Sequence, residues 1–510
     1  MWTWTQLLLL APAPPLAAFA WLAFDPSRLS SRQVTATALA GASAPFLILL
    51  PLVIARFAGA LPNDGLAPIF TLDFVAYRID LAMGLDPLSA VTGLTVAVVA
   101  PAVMLYAVDY MKGAHPLDLR RFFALMNLFM AGMLAMVLAA DSIVFFLGWE
   151  LMGLCSFFLI GYEMTSPRAY AAGRKAFIIT RIADGALLAG LLLLFLEAGS
   201  VRLNELIPAG VGAPEGRGAL IAGLLLVGAL GKSAQIPFQT WLPTAMAGPT
   251  PVSALLHSAT MVAAGAVLLA RFAPIVADHP AVAAATALAG VGTALFGALC
   301  AVAQTDVKRL LAWSSISQIG YMVMAVGVGA PAAAAAHFVV HAAFKSLLFM
   351  AAGVMAHAAH GDTAIDRLSG ARRTAPVAFW TFAAGAASLA GLPLVTAGWG
   401  SKEAILAAAF EAGLFGRGIW ALGVAAAALT GVYAFRPVLA ALAPAPEDPA
   451  ARHPVREGAR YVAPLVGLAA AALLGVLGVE PLLHLLGAHG GHPPAIVPVA
   501  GAAAAALGVA

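Results

Sequence analysis

Residues 331–357 read PAAAAAHFVVHAAFKSLLFMAAGVMAH, a long apolar run in which Lys345 is the only Lys, Arg, Asp or Glu. About 20 apolar residues suffice to cross the hydrocarbon core of a bilayer, so this run predicts a membrane-spanning helix. A lipid-exposed chain must satisfy its own backbone groups, and the run is too long for the ten-residue alternation of a barrel strand.

Working outward, comparable windows lie near 4–24, 34–55, 87–110, 122–140, 142–162, 176–197, 218–245, 251–274, 282–303, 310–329, 376–403, 418–441 and 461–486, with a weaker last one near 493–510. The predicted fold is an all-α polytopic membrane protein of fourteen or fifteen transmembrane helices. Between about 56 and 86, Pro62-Asn63-Asp64-Gly65 precedes a partly alternating segment, which predicts a short surface hairpin.

Composition agrees: 62% of the 510 residues are hydrophobic and 10% are charged. A net charge of +3, spread over loops without a basic cluster, excludes a nucleic-acid partner and leaves lipid, membrane subunits and ions. Cys155 and Cys300 lie in apolar segments without metal spacing, so neither a disulfide framework nor a metal or iron–sulfur centre is expected, and no cofactor is implied. The N-terminus lacks a basic region and a clear cleavage site, and reads as a retained span.

Loops after odd-numbered spans carry seventeen Lys and Arg residues, against six on the other side. By the positive-inside rule the odd loops, with Lys308 and Arg309 among them, face the cytoplasm and the N-terminus faces outward.

Four basic residues, Arg181, Lys232, Lys345 and Lys402, fall inside spans. A charge at mid-membrane costs roughly 2.5 kcal/mol or more, so each needs a partner or a wet cavity. Span 7 carries Pro237 and Pro243, and span 12 carries Pro393 among glycines; a proline removes a helical bond and clashes with the preceding turn, which predicts that both helices are broken near Lys232 and Lys402. Paired broken helices point to an ion path, the alternative being packing kinks with snorkelling lysines. On span 11, His337, His341 and Lys345 at i, i+4, i+8 share one helix face, roughly 6 Å apart along the axis. Imidazoles so spaced can relay a proton through water to an amine, and histidine titrates near neutral pH. Glu150 on span 5 is the acid expected opposite Lys232. Arg181 and Asp184, three apart on span 6, suggest a local ion pair that modulates it. His257 on span 8 serves either as a relay or as an interhelical hydrogen-bond donor.

Four stretches, GKSAQIPFQTWLPTAMAGPTPVSALLHSATMVAAG (231–265), DVKRLLAWSSISQIGYM (306–322), HFVVHAAFKSLLFMAAG (337–353) and LAGLPLVTAGWGSKEAIL (389–406), resemble the antiporter-type subunits of respiratory complex I and Mrp transporters, nearest the L (subunit 5) branch. The resemblance runs from about Asp86 to Arg436. It implies two inverted five-helix repeats, each a half-channel, joined by a polar axis: an N-terminal segment with its hairpin over 1–120, repeats over 121–275 and 276–441, and C-terminal spans over 442–510. It also implies Glu150 with Lys232 as the first ion pair, His257, His337, His341 and Lys345 as the connecting relay, and Lys402 with Glu403 as the terminal group. The stop at Ala510, short of the lateral helix of subunit L, makes the chain similar to DabB, the membrane partner of the DabA zinc protein in inorganic-carbon uptake. The expectation is a proton-conducting, or sodium-conducting, subunit of the bacterial inner membrane with an obligate partner: a DabA-like protein first, complex I-like membrane subunits as the alternative. A structural anchor for a catalytic partner is the remaining reading.

Overall fold

The computed structural model describes residues 3–25, 29–62, 65–73, 78–444, 453–488 and 494–509. Asn63 and Asp64 of the predicted hairpin turn lie outside them, as do Arg28 and Arg452, two of the seventeen loop residues counted above. Two compact units emerge, Met1–Ser233 with Ala263–Ala283, and Ala234–Val262 with Ala284–Ala510.

The first stretch of chain folds as α1 (Trp4–Leu10), α2 (Ala13–Phe24), α3 (Ser31–Phe57), β1 (Leu66–Asp73), β2 (Arg78–Gly84), α4 (Pro87–Tyr110), α5 (Pro116–Leu138), α6 (Ser142–Ile160), α7 (Pro167–Ala198), α8 (Leu203–Val211) and α9 (Glu215–Lys232). Next come α10 (Thr250–Ser258), α11 (Met261–Arg271), α12 (Ala273–Asp278), α13 (Pro280–Val302), α14 (Val307–Gly327) and α15 (Pro331–His357). The chain ends with α16 (Ala371–Thr374), α17 (Pro376–Ala390), α18 (Ala397–Glu411), α19 (Gly413–Leu442), α20 (Ala459–Leu474), α21 (Val476–Leu485) and α22 (Ile496–Val509). Six of the long helices, α4, α5, α7, α13, α15 and α17, begin at a proline. Proline suits the first helical position, where its missing N–H would have no partner anyway.

Among the described residues, eleven spans are long and apolar enough to cross a membrane, or twelve if α20 and α21, bent by 70°, count as one. The all-α membrane class is as expected, and the lower count follows from the broken helices. Span 7 stops at Lys232 and does not resume regular helix until Thr250, and span 12 is two fifteen-residue helices on either side of 391–396. Both breaks hold a non-glycine residue in the left-handed region, Ala234 (φ 51°) and Leu394 (φ 68°), a conformation that costs about 1–2 kcal/mol. Span 8 has a break the sequence reading missed, between α10 and α11 beside His257; there the Thr260 hydroxyl donates to the Leu255 carbonyl at 2.6 Å.

In the first unit the predicted hairpin forms, β1 antiparallel to β2 from Leu66↔Gly84 to Asp73↔Arg78. It is tied to α6 by Asp141, whose carboxylate accepts from Ala82 N at 2.8 Å while capping the helix through Ile143 N and Val144 N at 2.9 and 2.8 Å. Helices α5 and α6 pack where Gly132 meets Gly148: a Cβ on Gly148 would lie 2.6 Å from the Gly132 carbonyl oxygen, so only glycine allows the approach. In the second unit α15 is central, packed by α10, α14, α17 and α20. Lys308 was read as a loop residue, but it lies in the first turn of α14, buried, and its Nζ donates to the carbonyls of Met246 and Gly248 at 3.0 and 2.9 Å. The long stem lets it fold back onto the irregular segment before α10, whose carbonyls have no helical partners.

Asp86 caps α4 by accepting from Ser89 N at 3.0 Å, and it pairs with Arg271 at the end of α11. Burial alone would push this carboxyl up, but Arg271 and the Ser89 hydrogen bonds outweigh it and hold it below the usual carboxylate value. A carboxyl lowered in this way stabilises the fold above its unfolded-state pKa, and that contribution fades as pH falls through the folded value. Asp86→Asn keeps a capping oxygen and loses the charge. It should therefore cost about 0.5–1 kcal/mol at neutral pH, given the partial exposure. In thermal unfolding scans the wild-type and variant midpoints should converge as the medium is acidified.

Candidate ion-translocation site

Two groups of buried titratable residues stand out, one in each unit. In the first, Lys232 is the last residue of α9, and its ammonium has no lipid or water exposure. Nζ lies 3.3 Å from Asp184 Oδ2 on α7, with the two side chains 0% and 2% exposed. The other carboxylate oxygen accepts from Trp149 Nε1 on α6 at 2.5 Å, and Nζ sits 5.0 Å over the Trp149 ring. Gly153, one turn along α6, makes room: a Cβ there would lie 2.9 Å from Nζ. Indole and ammonium together satisfy both carboxylate oxygens, which a buried ion pair requires if its desolvation is to be offset.

Glu150 was expected to pair with Lys232, and Arg181 with Asp184; the structure exchanges the partners. Arg181 forms its ion pair with Glu150 and lies 4.7 Å over the Phe177 ring. The reason is burial. Asp184 is claimed by an ammonium that has no water to turn to, whereas Arg181, 43% exposed on the outer side of α7, reaches out to Glu150. Glu150 Oε1 is buried without a hydrogen-bond partner.

In the second unit α15 presents its stripe inward. His337 and His341 have ring centroids 6.3 Å apart, and both are fully buried, as is Lys345. His337 Nδ1 lies 2.9 Å from Ser401 Oγ on α18, which places the stripe beside Lys402 and Glu403. At the other end Lys345 Nζ donates to Ser314 Oγ at 2.6 Å, and Ser314 bonds Tyr433 Oη at 3.0 Å. Lys402 Nζ donates to the Leu389 carbonyl at 2.9 Å and lies 5.6 Å over the Tyr321 ring. Leu389 is the penultimate residue of α17, so the break frees the carbonyl that holds this lysine. Gly398 permits the closeness, since a Cβ there would run into the Ser388 carbonyl.

His257, on α10, stacks against Phe349 of α15 with centroids 4.7 Å apart and lies within Coulombic reach of Lys345. Both ring nitrogens of His257 and of His341 are buried without a hydrogen-bond partner of normal geometry, as are both polar atoms of Gln318. Pro237 lies in the break of span 7, at a cis Ile236–Pro237 bond, and Pro393 in the break of span 12. Reading by charge and periodicity missed Trp149, Ser314, Tyr321, Ser401 and Tyr433. All are uncharged and common in apolar spans, and only their contacts with charged partners distinguish them. Cys155 is buried and Cys300 half-buried, and both are free.

The family description "NADH:quinone oxidoreductase/Mrp antiporter, TM" matches residues 139–430, and that of complex I chain 5 N-terminus matches 72–123. The chain is 39% identical over 435 residues to NADH-quinone oxidoreductase subunit L of Escherichia coli, covering 84% of this chain and 70% of that protein. Subunit L of Pseudomonas aeruginosa is 40% identical with the same coverage. NAD(P)H-quinone oxidoreductase chain 5 of a Synechocystis species is 39% identical over 71% of this chain and 54% of its own. Among solved structures, a chain of the Mrp complex from a Dietzia species superposes with a TM-score of 0.80 and 31% identity, over 98% of this chain and 55% of that one. This chain thus spans little more than half the length of that Mrp protein. From the matched core of residues 139–430 and the extent of the subunit L alignments, the chain belongs to the family of NADH:quinone oxidoreductase and Mrp antiporter membrane subunits.

Proposed function

We propose that this protein is a proton-translocating subunit of a complex I-type or Mrp-type assembly in the bacterial inner membrane, with its N-terminus outside. The observation that carries the reading is the row Lys345, His341, His337, Lys402 and Glu403, buried on adjoining helices α15 and α18. Burying ionisable groups costs stability, and apolar residues of similar volume would pack as well, so a purely structural role gives them no reason to be there.

In this reading a proton enters the stripe at Lys345 and moves by way of the imidazoles. A neutral imidazole accepts at one nitrogen and donates from the other. With Nδ1 on Ser401, His337 offers Nε2 to the His341 side, and a proton passed on reaches Lys402 and then Glu403. The nitrogens of His257, which have no hydrogen-bond partner among the described residues, support bridging water, because buried polar groups are otherwise hydrogen-bonded. The two repeats, 121–275 and 276–441, are read as one half-channel each, with His257 counted in the relay of the second unit beside Phe349. In the first half-channel, Lys232 holds its proton while paired with Asp184. Arg181 and Glu150 set the field around that pair, and at low dielectric a small displacement changes the Coulomb energy steeply.

The half-exposed Arg181, midway along α7 among Ile178, Ile182 and Leu188, supports a partner subunit against this face. The named relatives are quinone oxidoreductase subunits and the solved neighbour belongs to an Mrp complex, which favours complex I-like or Mrp-like partners over the carbon-uptake reading with its DabA-like zinc protein.

Lys232→Met and Lys345→Met, made singly, should each reduce proton translocation by the assembled complex in inverted vesicles about a hundredfold or more, the low end of what a positioned proton-transfer group typically contributes, about 10²–10⁴. Undiminished translocation, with assembly confirmed by co-purification, would favour the anchor reading.

A second expectation separates pairing from transport. Asp184→Asn leaves a buried lysine unpaired and should cost about 3–5 kcal/mol in unfolding measurements. Adding Lys232→Met should restore most of that stability without restoring translocation.

A further inference from the structure

The second unit contains a cavity of about 720 Å³ between the start of α15, one face of α18, and α21. Its charged lining comes from Glu403 and Glu411 on α18 and from Glu480 on α21, together with the imidazole of His484; among the described residues no Lys or Arg lines it. At about 30 Å³ per water molecule the space holds roughly two dozen waters.

Glu403 forms the floor. It is 9% exposed, and its Oε2 has no hydrogen-bond partner. Its Oε1 is pressed against Gly501 of α22, where a Cβ would collide with it. The mouth is different. Glu480 and His484 are both exposed and stand four residues apart on the ten-residue helix α21, so they share one face, one turn apart. A carboxylate and an imidazole at that spacing can grip a single ion from one side.

The donor set selects the ion. A nitrogen and an oxygen ligand suit zinc and its neighbours, whereas calcium and magnesium call for all-oxygen shells. No three His, Cys, Asp or Glu side chains among the described residues are already gathered for a metal. A site here would use two protein ligands, with cavity water completing the shell and the carboxylates behind it drawing cations in.

We propose that Glu480 and His484 form a binding site for a divalent transition-metal ion of the zinc class at the mouth of this cavity, and that the bound ion obstructs proton passage to Glu403. The obstruction rests on the translocation reading given above; the binding does not.

The test uses the full chain in its assembled complex, wild type and Glu480→Gln/His484→Ala, with Zn2+ as probe and Ca2+ as control. Equilibrium dialysis should show the double variant binding one Zn2+ fewer per chain. In vesicles its uninhibited translocation should match wild type, while the half-inhibiting Zn2+ concentration rises at least about tenfold, no less than the loss of a supporting ligand contact produces elsewhere. Ca2+ at the same concentrations should leave both unaffected. Loss of the bound ion supports the site even if Lys345→Met shows that conduction runs elsewhere. Equal Zn2+ binding by both proteins overturns the site, and an unshifted inhibition curve or equal inhibition by Ca2+ overturns the obstruction.

Discussion

An ammonium inside a membrane protein must be matched by a carboxylate or by carbonyl dipoles, and much of this structure follows from meeting that demand. Lys232 is matched by Asp184, and Trp149 completes the carboxylate. Lys402 has the Leu389 carbonyl, which exists as a free acceptor only because span 12 is broken there. Lys345 has Ser314 and, through it, Tyr433. Each arrangement needs something a continuous apolar helix cannot supply: an indole N–H, an interrupted hydrogen-bond ladder, or a hydroxyl from a neighbouring helix. The glycines at 153 and 398 follow from the same demand, because a Cβ at either would occupy the space the ammonium or the helix end requires.

The polar row of the second unit is held together differently. Among the described residues no carboxylate pairs with His257, His337 or His341, so they depend on each nitrogen finding water, a hydroxyl, a backbone group or a ring face. Ser401 does this for His337, and Phe349 covers His257. Such a row tolerates a travelling charge because no member of it is fixed by a strong ion pair. The first unit, with Lys232–Asp184 and Arg181–Glu150 both closed, is suited to holding charge in place, and the contrast follows from which residues are carboxylates.

Much of this was legible in the chain itself. Lipid enforces helix, so run length gave the class. Proline and glycine near Lys232 and Lys402 located both breaks, because a missing N–H acts locally. The stripe at 337, 341 and 345 was readable because helical spacing puts it on one face. Pairing was not readable. Arg181 and Asp184 are neighbours by number, yet they serve different partners, because burial of Asp184 depends on α6 and α9. Nor is the inward fold of Lys308 readable, because a position near a span end says nothing about where a long stem will turn. The break beside His257 left no proline to mark it.

Lys308 carries one more implication. Its amine occupies the carbonyls of Met246 and Gly248, in the stretch linking the broken span to α10. With those acceptors held by a residue of α14, the linker is fastened from outside. Winding it into a continuous rod would cost both of these bonds, so the discontinuity is maintained by a neighbouring helix as well as by the prolines within it.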